Sequence, residues 1–387
     1  TVNMKQKNRH TSLCFVVTDA QSFNALCKGQ FEYYKENFDV DLTFVCGGSG
    51  SEIDQMRMRN VGGVVDCGLT RRPQFINDIK VFSKLTWIFY KNRFDVVIYS
   101  TPKALLLTSI AAAITRQNHR IALIRGRVYE NSHGVKRLAW SLADRLSIAL
   151  SHKTIFISRS LLDAYLSDKI VEKNRGVVVG KGSSGGVSLN RFFPRADRNI
   201  SLRGKLRIPA DAFVVLSVGR LCLDKGVKDL EEIILLTESK KIHFVAVGPI
   251  EDSAAKEIIE TTFRENTRCH YVGFSLETQQ YFSMADLHLF LTHREGFGNV
   301  ALEAAASGLP TVAYDVVGVR DSVAPGKSGW LFDRGRSDLI HKFISHISET
   351  PEDLVFLRRS ARLWAEKNFD EEIVWKAYFD EYTLFSS

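Results

Sequence analysis

Short runs of apolar and β-branched residues alternate along the chain with longer amphipathic stretches. In the first half the runs are residues 13–17, 42–46, 61–65, 96–99, 121–124, 154–157 and 177–179. The pattern restarts at 213–218 and continues at 244–247, 270–272, 287–291, 311–313 and 330–332. Such runs are continuous rather than alternating, which predicts strands of parallel sheets buried on both faces by the intervening helices. Between the two series, residues 180–209 are poor in apolar periodicity and hold Gly182, Gly185, Gly186, Pro194 and several arginines. That stretch predicts an interdomain connection. Residues 353–382 predict helix, rich in aromatics (Phe356, Trp364, Phe369, Trp375, Phe379). The expected architecture is α/β: two doubly wound, Rossmann-like domains in tandem, with ligands bound at the carboxyl ends of their strands. A chain of 387 residues suits two cores of ordinary size. No repeat of 20–50 residues and no low-complexity tract interrupts the series.

Charge adds one feature. Residues 1–200 carry a net charge of +14 and the remainder −6, within an overall +8. A basic half beside an acidic one suits an anionic partner (a membrane surface, a polyanion or a nucleic acid) or a solvated surface of high pI. The six cysteines are scattered without a C-x-x-C pair, which excludes a zinc ribbon and fits reduced thiols. The longest apolar run, residues 104–114, is far short of the roughly 20 residues of a membrane span. The opening residues lack the apolar core of a signal peptide, and Met4 reads as a natural start.

The densest chemical signal is the string Arg294-Glu295-Gly296-Phe297-Gly298-Asn299-Val300-Ala301-Leu302-Glu303-Ala304. It follows a predicted strand and opens a helix over 299–307, with Gly308 placed to terminate it and Pro310 to block its continuation. Gly296 and Gly298 allow close backbone approach, and the amides of Gly298, Asn299 and Val300 stand at the helix start. Unpaired amides and the helix dipole favour an anion there. Two acids would repel a bare phosphate, so Glu295 and Glu303 are expected to accept hydrogen bonds from hydroxyls flanking it. A phosphate with hydroxyl-bearing groups on both sides describes a sugar nucleotide. A second string, Val218-Gly219-Arg220 leading to Lys225-Gly226, ends a strand in glycine and brings two cations to its edge, suited to a diphosphate.

Glu295-x7-Glu303 followed by Gly308-Leu309-Pro310, together with Gly219-Arg220-x4-Lys225-Gly226, resembles retaining glycosyltransferases of family 4, which have the GT-B fold. The resemblance extends over essentially the whole chain and is most specific over 213–332. It implies a fold of two Rossmann-like domains facing a central cleft: 1–195 on the acceptor side and 196–365 binding the nucleotide sugar. Residues 366–387 are expected to form a helix crossing back to the N-terminal domain. The resemblance assigns the donor sugar to Glu295, the ribose hydroxyls to Glu303 and the diphosphate to Arg220 and Lys225. Phe297 and Gly219 belong to the same donor region. Gly248, Gly273 and Phe274, in turns after strands, are placed either as nucleobase contacts or as ordinary turns. On the N-terminal side Gly29 is the candidate for close approach to the diphosphate, where the family's double glycine is missing.

Arg125, Gly126, Arg127 and Glu130 end a predicted strand and are expected on the acceptor or sugar side. Many family members place a histidine near this point. Arg125-Gly126 stands here instead, as in members that build bacterial capsule, O-antigen and lipid-linked glycans, and His133 is the candidate replacement or a plainly exposed side chain. The implied reaction moves a hexose or N-acetylhexosamine from a UDP sugar to a hydroxyl of a lipid-linked glycan, with retention. No cofactor and no metal are expected, because the cations neutralise the diphosphate and no carboxylate cluster is dedicated to Mg²⁺. Basic and aromatic residues interleave over 79–94 and 134–150, which fits either helices on anionic lipid or helices packed on their own sheet. The expected location is cytoplasmic, peripheral on the inner face of the plasma membrane, with no nucleic acid partner.

Two rivals set the contrast. A GT-B sugar-nucleotide epimerase would need acid/base chemistry on the sugar without an acceptor. A polyanion or nucleic-acid binder would use the basic half, yet no motif of that kind is present. Gly180-Lys181-Gly182-Ser183-Ser184-Gly185 matches G-x-G-x-x-G but lacks the helix and the acid about 20 residues on that a dinucleotide site requires.

Overall fold

The computed structural model describes residues 10–385 apart from 128, 131, 184, 196 and 198. The opening residues read for a signal peptide and a start at Met4 lie outside that set, as does Ser184 of the G-x-G-x-x-G string. The chain forms two compact units, one of residues 1–185 with 372–387 and one of residues 186–371.

The first unit opens with β1 (Thr11–Asp19), α1 (Ala20–Leu26), α2 (Gln30–Asn37), β2 (Val40–Gly47), α3 (Gly50–Met58) and β3 (Gly63–Asp66). It continues through α4 (Phe75–Lys91), β4 (Val96–Ser100), α5 (Pro102–Ile114), β5 (His119–Ile124) and α6 (Gly134–Ala149). Then come β6 (Lys153–Phe156), α7 (Arg159–Ser167) and β7 (Gly176–Val178). The strands make one parallel sheet in the order β3-β2-β1-β4-β5-β6-β7. The central strands are apolar on both faces because helices cover both, and Phe15, Phe23, Phe31 and Phe44 interlock beneath α1 and α2.

The second unit runs α8 (Ile200–Lys205), β8 (Phe213–Val218), α9 (Val227–Leu236), β9 (Ile242–Val247), α10 (Ser253–Ile258) and β10 (Cys269–Gly273). It goes on with α11 (Thr278–Met284), β11 (Leu287–Phe290), α12 (Asn299–Ala306), β12 (Thr311–Tyr314) and α13 (Val319–Ser322). It ends with β13 (Gly329–Phe332), α14 (Ser337–Glu349) and α15 (Asp353–Phe369). Its parallel sheet has the order β10-β9-β8-β11-β12-β13. A core of Val215, Ile233, Phe244, Ala246, Leu289, Val312 and Ile344 fills one face. The last helix, α16 (Glu371–Thr383), joins the first unit from Glu372 on and buries Trp375, Tyr378, Phe379 and Tyr382.

Each apolar run predicted as a strand is one, within two residues at its ends. Two local expectations change. The stretch predicted as plain connection contains α8, which apolar periodicity does not reveal because a buried ion pair holds it. Arg203 donates to the Met284 carbonyl and to Asp286 Oδ2 at 2.9 Å, with both side chains buried. The helical segment 353–382 is two helices, broken at Asp370, whose backbone is extended and bridges Val187. No helix opens at the Gly180–Gly185 string among the described residues.

Candidate functional site

In the second sheet the connections leave β8 toward β9 and β11 toward β12, in opposite directions. The crevice between the carboxyl ends of β8 and β11 is therefore the topological switch point, where open parallel sheets bind ligands. The two connections, 219–226 and 291–298, meet there backbone to backbone. A Cβ on Gly226, at φ +76°, would stand 2.1 Å from the Leu291 carbonyl oxygen, so only glycine permits this approach. Between them lies a cavity of about 370 Å³ walled by Ser217–Leu221, Lys225–Val227, Leu291, Glu295 and Gly298–Val300. Six residues expected at a donor site from sequence thus share one cavity with Glu295: Gly219, Arg220, Lys225, Gly298, Asn299 and Val300.

The helix start is built by crowding. Gly298 is the N-cap of α12 at φ +88°, and a Cβ there would meet Phe290 at 2.8 Å and Ser322 Oγ at 3.0 Å. Five of the helix's residues are buried, among them Ala301, Leu302 and Ala304, so its axis is fixed and its amino end points into the cavity wall. At the other end Gly308 N–H donates to Ala305 O and Leu309 N–H to Ala304 O, the paired bonds of a Schellman cap. Phe297 does not line the cavity. It is buried with its ring 5.5 Å from that of Phe369 and anchors the loop.

Two ion pairs tie the two connections together, and a histidine–carboxylate hydrogen bond ties the second connection to α9. Lys225 Nζ lies 2.5 Å from Glu295 Oε1, Arg294 Nε 2.7 Å from Asp224 Oδ2, and His293 Nε2 2.8 Å from Asp229 Oδ2. The Tyr314 hydroxyl donates to the other Asp229 oxygen at 2.8 Å, and His293 N–H to the Asp224 carbonyl. Arg220 pairs with Glu251 at 2.6 Å on the more exposed rim. Asp224, Asp229, Thr292 and Glu251 are the site-building residues that motif reading missed. Asp224 lies inside the Gly219–Gly226 string and was legible there, while the others reveal themselves only through contacts distant in sequence.

Glu303 lies off this cavity, a turn into α12 and half-buried. Its carboxylate makes no hydrogen bond to another described residue. Burial pushes its pKa up to about 7, and the Arg191 guanidinium offsets part of that rise. Gly219, Gly248 and Gly273 follow β8, β9 and β10. Gly219 N–H donates to Val247 O and Gly248 N–H to Gly273 O, and a Cβ on Gly248 would fall 1.8 Å from the Gly219 carbonyl oxygen. The three strand ends thus present bare backbone, with Phe274 71% exposed beside it.

In the first unit the switch point lies between β1 and β4. Thr101 stands there at φ +73°, a rare conformation for a β-branched residue, held by Thr18 N–H and the Thr18 hydroxyl on its Oγ1. An open cavity of about 660 Å³ borders Asp19, Gln21, Glu52, Asp66 and Arg71. The residues expected on the acceptor side follow β5 instead. Arg125 reaches Cys27 Sγ at 3.8 Å, and Arg127 pairs with Glu130 at 2.5 Å and with Asp168 at 3.5 Å. The Gly126 carbonyl accepts from the Tyr165 hydroxyl, and His133 is exposed at the N-cap of α6. Gly29, at φ +81°, starts α2 against the Trp375 ring, 2.8 Å from where a Cβ would stand. Among the described residues no helix is long and apolar enough to cross a membrane.

Comparison with known proteins agrees with this geometry. Residues 199–364 match the family described as glycosyl transferases group 1, a span that holds the cavity and both strings. The capsular polysaccharide biosynthesis glycosyltransferase CapM of Staphylococcus aureus is 26% identical over 381 residues, covering 97% of this chain and 98% of that one. The N,N'-diacetylbacillosaminyl-diphospho-undecaprenol alpha-1,3-N-acetylgalactosaminyltransferase of Campylobacter jejuni is 24% identical over 79% of this chain and 81% of its own. Anabaena Alr3699/HepE, solved in complex with UDP, superposes with a TM-score of 0.79 at 19% identity over 97% of this chain and 100% of that one. Two parallel-sheet Rossmann-like units with such neighbours make the fold GT-B. The chain is a glycosyltransferase, whose residues 199–364 match the group 1 glycosyl transferases.

Proposed function

We propose that this enzyme is a retaining, family 4 glycosyltransferase that moves a hexose or N-acetylhexosamine from a UDP sugar to a hydroxyl of a lipid-linked glycan. The pathway is assembly of a bacterial surface polysaccharide, capsule or O-antigen. The observation that carries the reading is the single cavity at the switch point, where Arg220, Lys225 and the first turn of α12 surround the space beside Glu295. Two cations and a helix amino end suit a diphosphate leaving group, and such preorganised charge is often the largest catalytic term. Glu295 accepts from the sugar's hydroxyls and Glu303 from the ribose. Gly248, Gly273 and Phe274 meet the base. The donor's own phosphate oxygen assists deprotonation of the acceptor, so no protein nucleophile and no metal are required. Residues 1–195, with Arg125, Gly126, Arg127, Glu130 and His133, serve the acceptor.

The relatives' names support the finer parts: capsular polysaccharide for one, a diphospho-undecaprenol acceptor for another, and bound UDP for the structural neighbour. Contact with an anionic membrane surface is supported by α6. Val135, Leu138, Leu142 and Leu146 recur at helical spacing and are all at least 45% exposed, while the buried residues of the helix are Asp144, Ser147 and Ile148. An apolar stripe facing outward, with exposed Lys136 and Arg145 beside it, suits a cytoplasmic enzyme lying on anionic lipid. The test is nucleotide release from UDP, GDP and ADP sugars with a lipid-diphosphate glycan as acceptor, with and without EDTA. UDP release dependent on the acceptor, unaffected by EDTA and lost in Glu295→Ala supports the reading. Full activity of Glu295→Ala and Lys225→Ala would overturn it.

A further inference from the structure

The two least exposed charged side chains that line the switch-point cavity are bonded to each other. Lys225 Nζ has one close partner, Glu295 Oε1 at 2.5 Å, and two long contacts, Thr292 Oγ1 at 3.4 Å and the Arg294 carbonyl at 3.5 Å. The two side chains are only 19% and 23% exposed, so the pair is partly shielded from water and its attraction is stronger than at an open surface. Arg294–Asp224 and His293–Asp229 clamp the two connections on either side, and Gly226 packs on the Leu291 carbonyl. The backbone is therefore held, and a change of partner falls to the flexible lysine stem.

We infer that Glu295 competes with the diphosphate for Lys225 and is thereby the residue that expels the spent nucleotide. The inference rests on the donor reading proposed above. A diphosphate entering the cavity brings two or more negative charges to Arg220 on the exposed rim and to the less exposed Lys225, which Glu295 already neutralises. Lys225 can satisfy only one of the two anions well. While the sugar is attached, its hydroxyls donate to Glu295 and replace the lost lysine bond. After transfer that donor set leaves with the acceptor, and Glu295 stands as an unpartnered, partly buried carboxylate beside the diphosphate. Such a group is costly. It recaptures Lys225, and the nucleoside diphosphate loses its principal charge partner. One glutamate thus makes the cavity prefer the intact donor to its product.

The test is the dissociation constant of UDP, measured by titration calorimetry on the full chain. The variants are Glu295→Gln, Glu295→Asp, Lys225→Met and the double variant Lys225→Met/Glu295→Gln, each checked for a cooperative thermal melt well above the temperature of the titration. Glu295→Gln is expected to bind UDP about tenfold more tightly than the unsubstituted enzyme, a change of about 1.4 kcal/mol. Lys225→Met is expected to weaken UDP, and in that background Glu295→Gln should change affinity by less than about twofold. Glu295→Asp keeps the charge but withdraws it from Lys225, and should also tighten UDP. Unchanged affinity in Glu295→Gln overturns the inference. So does an equal gain in the Lys225→Met background, which would mean simple repulsion of phosphate. Absence of UDP binding by the unsubstituted enzyme would overturn the donor reading itself, and the inference with it.

Discussion

The start of α12 in the second unit and the start of α6 in the first are both reached from a strand of a parallel sheet, and both place a glycine at positive φ. Their surroundings differ. At Gly298 a Cβ would strike Phe290 and Ser322, whereas at Gly134, φ +56°, it would meet nothing within 4 Å. The helix behind Gly298 is buried, and the loop before it is stapled by two ion pairs and the His293–Asp229 hydrogen bond. The helix behind Gly134 turns apolar side chains outward, and its loop holds Arg127 against Glu130 and Asp168. A site that must hold charge in one geometry is overdetermined by packing. The other helix start leaves its apolar surface open, as the lipid contact proposed above requires.

Substituting the charge at the crowded start should have the largest effect. Lys225→Met removes one preorganised cation, and turnover is expected to fall about 10²–10³-fold in an enzyme that is still folded, while the unpaired Glu295 lowers the melting temperature modestly. Steady-state rates beside a thermal melt check this, and a loss under tenfold would remove Lys225 from leaving-group stabilisation. The glycines come next. Gly298→Ala meets both strain and a clash and is expected to cost about 2–3 kcal/mol, against about 1 kcal/mol for Gly134→Ala, which meets strain alone. Equal costs in urea unfolding would erase the contrast between crowded and open starts.

Surface substitutions on the open side follow. Leu142→Glu in the α6 stripe should leave donor binding and stability unchanged and lower binding to phosphatidylglycerol vesicles about tenfold. Sedimentation with such vesicles reads this directly, and undiminished binding would exclude the stripe as the lipid contact.

The same contrast explains what the sequence makes legible. Strands buried on both faces appear as continuous apolar runs, so both sheets could be traced in order. The α12 start was legible because its chemistry is local: Glu295, Gly296, Gly298 and the Gly308 cap lie within fourteen residues. Residues that hold the site from afar were not legible. Asp229 meets His293 across 64 residues and Tyr314 across 85, and nothing in their own neighbourhoods marks them. The helix α8 was hidden for a similar reason, since Arg203 and Asp286 stabilise it in place of an apolar stripe. Phe297 shows the converse error of locality. It lies within the motif, yet its ring belongs to the core with Phe369.

Glu303 gives the smallest expected effect and the sharpest sign. Its carboxyl has an ordinary pKa of 4.5 and is raised by burial to about 7 in the folded chain. Between those values the folded state binds more protons than the unfolded one, so stability falls as pH rises from about 4.5 to about 7. Above that range the carboxylate stays ionised and burdens the fold. Arg191, from the segment before α8, is the charged group that opposes the shift, and it does not cancel it. Glu303→Gln, which has no charge to bury, should therefore match the unsubstituted enzyme at pH 4.5 and melt a few degrees higher at pH 8. Ribose hydroxyls donating to Glu303 would favour the carboxylate, so nucleotide binding near pH 6.5 should release a fraction of a proton. Calorimetric titrations with UDP in buffers of different ionisation enthalpy measure that fraction. If Glu303→Gln releases the same fraction, the proton comes from another group and Glu303 does not read the ribose.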